Sequence, residues 1–266
     1  MLPRLLCVTG PTASGKTALG LRLAKRFGGE IVNADARQLY RDGGIGTGLP
    51  EGDSGWLDGE EVRFVEGIPH HLLGVSSPGQ AWTVSAWCAA ARAAVTGIWK
   101  RGHVPMIVGG TGLYVRSFCE GYVFAGPPDP ALRARLSALS LEERFERLQM
   151  ADPETARRID RRNPYRVLRA LERALAAEAP ASRQPPPFTT LKIARFWPPE
   201  ALRERICARI DAQFQAGWIE EVDQLLRRGI PPASPLLQSI GFRAIAAGLV
   251  AGRPDPESLR VQVVRE

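Results

Sequence analysis

Cysteine is sparse in this chain. Cys7, Cys88, Cys119 and Cys207 stand far apart, with no C-x-x-C pair. That spacing suggests neither a zinc site nor a disulfide framework, and reduced thiols in a cytosol fit it. Histidine is sparser: only His70, His71 and His103 are present. Metal binding by the adjacent His70 and His71 is therefore not expected. Neighbours on a strand cannot share a face, so one of the two is expected to pack or hydrogen-bond in the core. No stretch approaches the roughly 20 apolar residues of a membrane span. A glycine loop within the first ten or so residues leaves no room for a secretory apolar region. No internal repeat is visible. One absence bears on chemistry. The apolar run Val104-Pro105-Met106-Ile107-Val108 reads as a buried strand. It does not end in the acidic residue with which an ATP-driven motor holds Mg²⁺.

What is present is ordinary in bulk. The 266 residues are 44% hydrophobic and 24% charged, enough for one large domain or a domain with an insert. The formal charge of +7 is unevenly spread. Residues 1–128 carry 12 basic against 10 acidic side chains, residues 129–195 carry 14 against 9, and residues 196–266 carry 9 against 9. The excess lies in the middle.

The most specific stretch is G-P-T-A-S-G-K-T at residues 10–17. Leu5–Thr9 before it reads as a buried strand. Ala18–Phe27 after it has leucines at helical spacing and ends at Gly28-Gly29, a natural helix stop. Strand, glycine loop and helix are the context that gives G-x-x-x-x-G-K-[ST] its meaning. Gly10 and Gly15 let backbone amides turn toward an anion, and the helix start adds partial positive charge. Lys16 is placed to reach phosphate oxygens, and the Thr17 hydroxyl to hold Mg²⁺.

Further along, Glu30–Asp35 reads as a second strand. Its last residue should enter the same crevice, because open parallel sheets bind ligands at their carboxyl ends. An Asp at a strand end can equally cap a helix. Residues 41–67, rich in glycine and charge, read as a mobile loop. Residues 83–101 form an amphipathic helix with Thr83 or Ser85 as its cap. Gly109-Gly110-Thr111-Gly112 makes a second strand–glycine–helix junction with an anion-friendly hydroxyl. From about Tyr122 the character changes to a proline linker and then helices over 131–178. Ser140 and Asn163-Pro164 mark helix starts. Residues 157–173 hold seven arginines against two acids. Arg166, Arg169 and Arg173 share a face, a surface suited to a phosphate backbone. A second proline linker covers 179–190. Leu191–Trp197 returns to the first domain as a strand, and further helices follow. The last helix reaches Arg265-Glu266 without a cap, as expected where a chain continues or has been cut.

Taken in order, G-P-T-A-S-G-K-T, V-N-A-D-A-R-Q-L-Y, G-I-P-H-H-L-L, V-G-G-T-G-L-Y and N-P-Y-R-V-L-R-A-L-E resemble the tRNA dimethylallyltransferases. The resemblance runs from residue 3 to about residue 250. It implies an α/β fold: a P-loop-type parallel sheet with helices on both faces, formed by residues 1–121 and 191–266. Residues 122–190 would be an inserted all-helical domain gripping the anticodon stem-loop. The implied reaction moves a dimethylallyl group from dimethylallyl diphosphate to N6 of adenosine 37 in tRNA, with Mg²⁺. By resemblance, Asp35 is the general base, with Thr111 and Lys16 at the reacting end. Gly10, Pro11, Thr12, Ala13, Ser14, Gly15, Lys16 and Thr17 would hold diphosphate, together with Arg205 or Arg209. The tRNA contacts would be Asp35, Ala36, Arg37, Gln38, Thr111, Arg133, Tyr165, Arg166, Val167, Leu168 and Arg169. The expected partners are tRNA and dimethylallyl diphosphate, and the chain is expected to act as a cytoplasmic monomer with no membrane.

Three departures stand out. Ala36 stands where the resemblance implies a serine after the catalytic Asp, Leu49 stands where it implies a lysine, and the sequence ends before the basic aromatic C-terminal segment that the resemblance leads one to expect. Three other readings compete. An adenylate dimethylallyltransferase would share the loop and the Asp but has no use for the arginine-rich insert. A nucleotide or metabolite kinase would want the acidic ligand after strand 104–108. A non-catalytic RNA-binding protein would transfer nothing.

Overall fold

In the computed structural model, residues 3–124, 129–176, 182–252 and 255–265 are described. The chain divides into two compact units, residues 1–119 with 186–266, and residues 120–185.

The first unit begins with β1 (Arg4–Thr9), α1 (Lys16–Phe27) and β2 (Gly29–Asn33). A one-turn helix α2 (Gly44–Thr47) precedes β3 (Asp53–Leu57), β4 (Glu60–Val65) and β5 (Ile68–His71). Then come α3 (Val84–Lys100), β6 (Val104–Gly109) and α4 (Gly112–Cys119). Within the second unit lie β7 (Tyr122–Val123), α5 (Pro130–Ser137), α6 (Leu141–Ala151), α7 (Pro153–Arg158), α8 (Pro164–Leu175) and β8 (Ser182–Arg183). The first unit resumes with β9 (Thr189–Ala194), α9 (Pro199–Gln215), α10 (Trp218–Arg227), α11 (Phe242–Val250) and α12 (Pro256–Arg265). Among the described residues no helix is long and apolar enough to cross a membrane.

The large sheet runs β3-β4-β5-β2-β6-β1-β9. β5, β2, β6, β1 and β9 are parallel, and β4 pairs antiparallel with both β3 and β5. Every residue of β2 is buried, as is all of β6 after Val104. Such continuous burial is what a strand covered on both faces shows. α1 lies close on one face: Val8, Ala24, Ile31, Met106 and Val108 form one cluster. On α3, Trp87, Cys88, Ala91, Ala94, Val95 and Ile98 are buried, and Thr83 caps it by accepting from the Ala86 amide at 3.1 Å. α9 to α12 gather around a separate core that includes Ile210, Trp218, Val222, Leu225, Phe242 and Val263.

The mobile loop expected over 41–67 is corrected: it contains α2 and the β3–β4 hairpin. Asp58 and Gly59 form its two-residue turn at φ 52° and 81°. That is the Asp-Gly turn chemistry of a tight hairpin, overlooked among the surrounding glycines and charges. The expectation of one buried histidine is also corrected. His70 and His71 are both buried, because β5 sits inside the sheet between β2 and β4.

The second unit is helical apart from the two-stranded ribbon β7–β8, so the all-helical description is amended by that pair. Ser140 and Glu143 close a capping box on α6, and Asn163 caps α8 with Pro164 at its first position. Leu136, Leu148, Ala156, Leu168 and Leu171 form its core. Of the two linkers, residues 125–128 and 179–181 lie outside the described residues.

Candidate active site

Three neighbouring strands, β2, β6 and β1, are parallel and deliver their carboxyl ends to one place. β1 feeds the glycine loop, β2 feeds Asp35, and β6 feeds Thr111. A cavity of about 480 Å³ opens there. Lys16, Thr17, Asp35, Gln38 and Arg209 are among its polar lining, and Ile206, Ile210, Trp218, Phe242 and Val263 among its apolar lining. A second, more open cavity lies beside it over the glycine loop, bordered by Gly15, Lys16, Thr17, Arg205 and Arg209. Lys16, Thr17 and Arg209 border both.

The glycine loop is fixed from outside. Gly15 sits at φ 82°, and Ala13 occupies the left-handed region at φ 60°. Arg205 Nε donates to the Ala13 carbonyl at 2.8 Å, and Trp197 Nε1 donates to the Ser14 carbonyl at 3.0 Å. Arg205 also stacks 4.6 Å over the Trp197 ring. These bonds hold the carbonyls of the strained turn in place. Trp197, just past β9, escapes sequence reasoning because its partner is 183 residues away.

Asp35 is set by its neighbours. Asn33, at 3% exposure, accepts from the Asp35 amide at 3.0 Å and donates to the carbonyls of Asp35 and Leu72 at 3.1 and 2.8 Å. Thr111 Oγ1 accepts from the Ala36 amide at 2.9 Å, and the Thr111 amide donates to Ala34 O at 3.0 Å. Gly109 makes this approach possible: a Cβ there would stand 2.1 Å from the Ala34 carbonyl carbon. The helix-cap alternative for Asp35 is corrected. Oδ1 accepts from the Arg37 amide at 3.0 Å, but residues 36–39 are turn, not helix.

Cations surround the carboxylate. Lys16 is 8% exposed and donates to Pro11 O at 3.3 Å. Burial pushes its ammonium below the usual lysine value, Asp35 opposes that, and Arg209 adds to it. Burial likewise lowers Arg209, with Asp35 again opposing. Two cations thus share a partly desolvated site with one carboxylate, an excess of positive charge suited to an anion.

Other expected contacts divide by location. Pro11 and Thr12 are exposed on the loop, and Ala36 and Gln38 are half-buried beside Asp35. In the second unit, Tyr165 and Arg166 are exposed on α8. The side chains of Val167 and Leu168 are 0% and 9% exposed on the core face of α8. The helical period turns them inward, although they lie between residues that face out. Arg133 and Arg169 are half-committed. Both bind the buried Glu172, at 2.7 Å from Arg133 Nε and 3.3 Å from Arg169 NH1.

The family model described as IPP transferase matches residues 38–264. A Chloroflexus aggregans protein named tRNA dimethylallyltransferase is 40% identical over 247 residues, covering 90% of this chain and 80% of that protein. One of the same name from Thermomicrobium roseum is 38% identical, covering 92% of this chain and 74% of that protein. The crystal structure of a tRNA isopentenylpyrophosphate transferase from Bacillus halodurans superposes with a TM-score of 0.66 at 29% identity, covering 98% of this chain and 82% of that one. A family match over most of its length, and relatives this similar across most of theirs, mean that the chain belongs to the IPP transferase family.

Proposed function

We propose that the protein is a tRNA dimethylallyltransferase that alkylates N6 of adenosine 37, beside the anticodon, with dimethylallyl diphosphate as donor. The observation that carries this reading is the meeting of Lys16, Asp35 and Arg209 in one cavity that is also lined by apolar side chains, among them Ile206, Ile210 and Phe242. The diphosphate rests on the backbone N–H groups of the loop, residues 12–17, with Lys16, Arg205 and Arg209 as its counter-charges. Ile206, Ile210 and Phe242 accept hydrocarbon. N6 attacks C1 of the allyl group, the C1–O bond breaks, and diphosphate departs with the bonding electrons. The N6 proton passes to the Asp35 carboxylate. Thr111 accepts from the Ala36 amide, so its own hydroxyl hydrogen serves the diphosphate. Cations placed where leaving-group charge develops are worth several kcal/mol of barrier, of the order of 10²–10³ in rate each.

The residues also suit Mg²⁺. No group of three or more His, Cys, Asp or Glu that could hold a metal occurs among the described residues. Mg²⁺ at a P-loop site needs no such cage, since it is bound by few protein groups plus substrate phosphates and water. Thr17 would hold it, and the ion would neutralise charge on the leaving diphosphate.

For tRNA, the exposed arginines Arg157, Arg158, Arg161, Arg162 and Arg166 supply phosphate contacts, with Tyr165 available for stacking. The target base must leave its stack at a cost of a few kcal/mol. Incubation with labelled dimethylallyl diphosphate, Mg²⁺ and either tRNA or AMP tests the reading. Label in tRNA and none in AMP is expected. Label in AMP alone would establish the small-nucleotide alternative instead.

A further inference from the structure

α2 is a single turn, yet side chains from three other segments bind its backbone. Glu221, in the first turn of α10, accepts from the Ile45 amide at 2.9 Å through Oε1 and from the Gly46 amide at 3.0 Å through Oε2. Gln213 Nε2 donates to the Ile45 and Gly46 carbonyls at 2.6 and 2.9 Å. Arg209 NH2 donates to the Thr47 carbonyl at 2.9 Å, and Gln38 Nε2 to the Gly48 carbonyl at 2.8 Å. The turn is also pressed against the helical core. A Cβ on Gly46 would stand 2.0 Å from Trp218 Nε1 and 2.4 Å from the Phe242 ring.

Gly46, Thr47 and Gly48 line the cavity, as do Arg209 and Gln38. The turn's carbonyls therefore aim two of the cavity's polar side chains, and its amides are held by Glu221. We propose that Glu221 is a positioning residue. Its carboxylate clamps the Ile45 and Gly46 amides, fixes the direction of the Thr47 and Gly48 carbonyls, and thereby orients the Arg209 guanidinium toward a bound diphosphate. This rests on the reading of Arg209 as a diphosphate ligand. Glu221 is not among the residues lining the cavity, and its carboxylate spends both oxygens on backbone amides. Glutamine cannot replace it cleanly, since one amide N–H would then face an NH₂ group.

The test uses the whole chain and inorganic diphosphate with Mg²⁺, so that binding is read without transfer. Glu221→Gln is expected to weaken diphosphate binding about tenfold. It should raise KM for dimethylallyl diphosphate by a similar factor and leave KM for tRNA unchanged. In an Arg209→Ala background the same substitution should add less than about twofold, because neighbours acting through one group are not additive. Gln213→Leu, which frees the same turn from its other side, should reproduce the loss if Glu221→Gln fails to fold. Unchanged diphosphate affinity in the folded variants would overturn the proposal, as would a full loss persisting without Arg209. A protein that binds diphosphate in this Glu221-dependent way but labels no tRNA would leave the proposal standing and remove the proposed function.

Discussion

Glu30 stands near the amino end of β2 and Asp35 two residues past its carboxyl end, and the two carboxylates are held in opposite ways. Glu30 is 1% exposed and meets a donor at every turn. Arg101 binds it through Nε and NH2 at 2.9 and 2.7 Å, and His71 and His103 each approach to 2.7 Å. Arg101 also reaches Asp58 in the hairpin turn at 2.6 Å. Burial alone would push the Glu30 carboxyl up. The hydrogen bonds from His71, Arg101 and His103 outweigh it and hold the group well below its ordinary 4.5. Asp35 is half-buried. Among the described residues it accepts one side-chain hydrogen bond, from the Arg37 amide, and faces Lys16 and Arg209 across a cavity. A buried carboxylate whose lone pairs are all met ties β2, β5, β6 and the hairpin together. One left partly open beside desolvated cations is poised to act on a ligand.

That contrast is sharpest if activity and stability separate at the two ends. The largest effect is expected from Lys16→Met. It removes a cation that burial already disfavours, so kcat/KM should fall about 10³-fold while the melting temperature holds or rises. Steady-state kinetics with calorimetric melting checks both. Next is Glu30→Gln, expected to cost about 3 kcal/mol in denaturant unfolding, because it takes its carboxylate from buried His71 and leaves half-buried Arg101 with Asp58 alone. Transfer by the folded fraction should stay near that of the parent. A large loss of turnover at equal folding would break the division between the ends.

A smaller effect follows from pH. The folded-state value of Glu30 is depressed, so its contribution is fully present above the unfolded value of 4.5 and is lost as pH falls toward the folded one. Unfolding measured down a pH series should therefore show the gap between parent and Glu30→Gln narrowing below that point. The smallest effect is His103→Gln. His103 is half exposed, and solvent screens its pairing with Glu30, so under about 1 kcal/mol is expected from the same unfolding experiment.

Legibility in the sequence followed the range of the contacts. The glycine loop could be read because its parts are contiguous, and Asp35 because a parallel sheet sends successive strand ends to one edge. The Asp58-Gly59 turn was readable but hidden by its glycine-rich surroundings. Val167 and Leu168 lie in a contiguous motif, yet the helical period turns their side chains into the core. Trp197 and Glu221 carry no local mark, because each acts on backbone brought close only by the fold, and of the bonds the Asn33 side chain makes only that to Leu72 is long-range. Glu221 lies 176 residues from the Ile45 amide it binds.

The most direct test is single-turnover transfer of labelled dimethylallyl to tRNA, with parent protein and Asp35→Asn each in excess and matched for folded fraction. The asparagine variant should bind tRNA with unchanged affinity and transfer at least about 10²-fold more slowly. Equal rate constants for the two would contradict the assignment of Asp35 as the base, and with it the division between the two ends of β2.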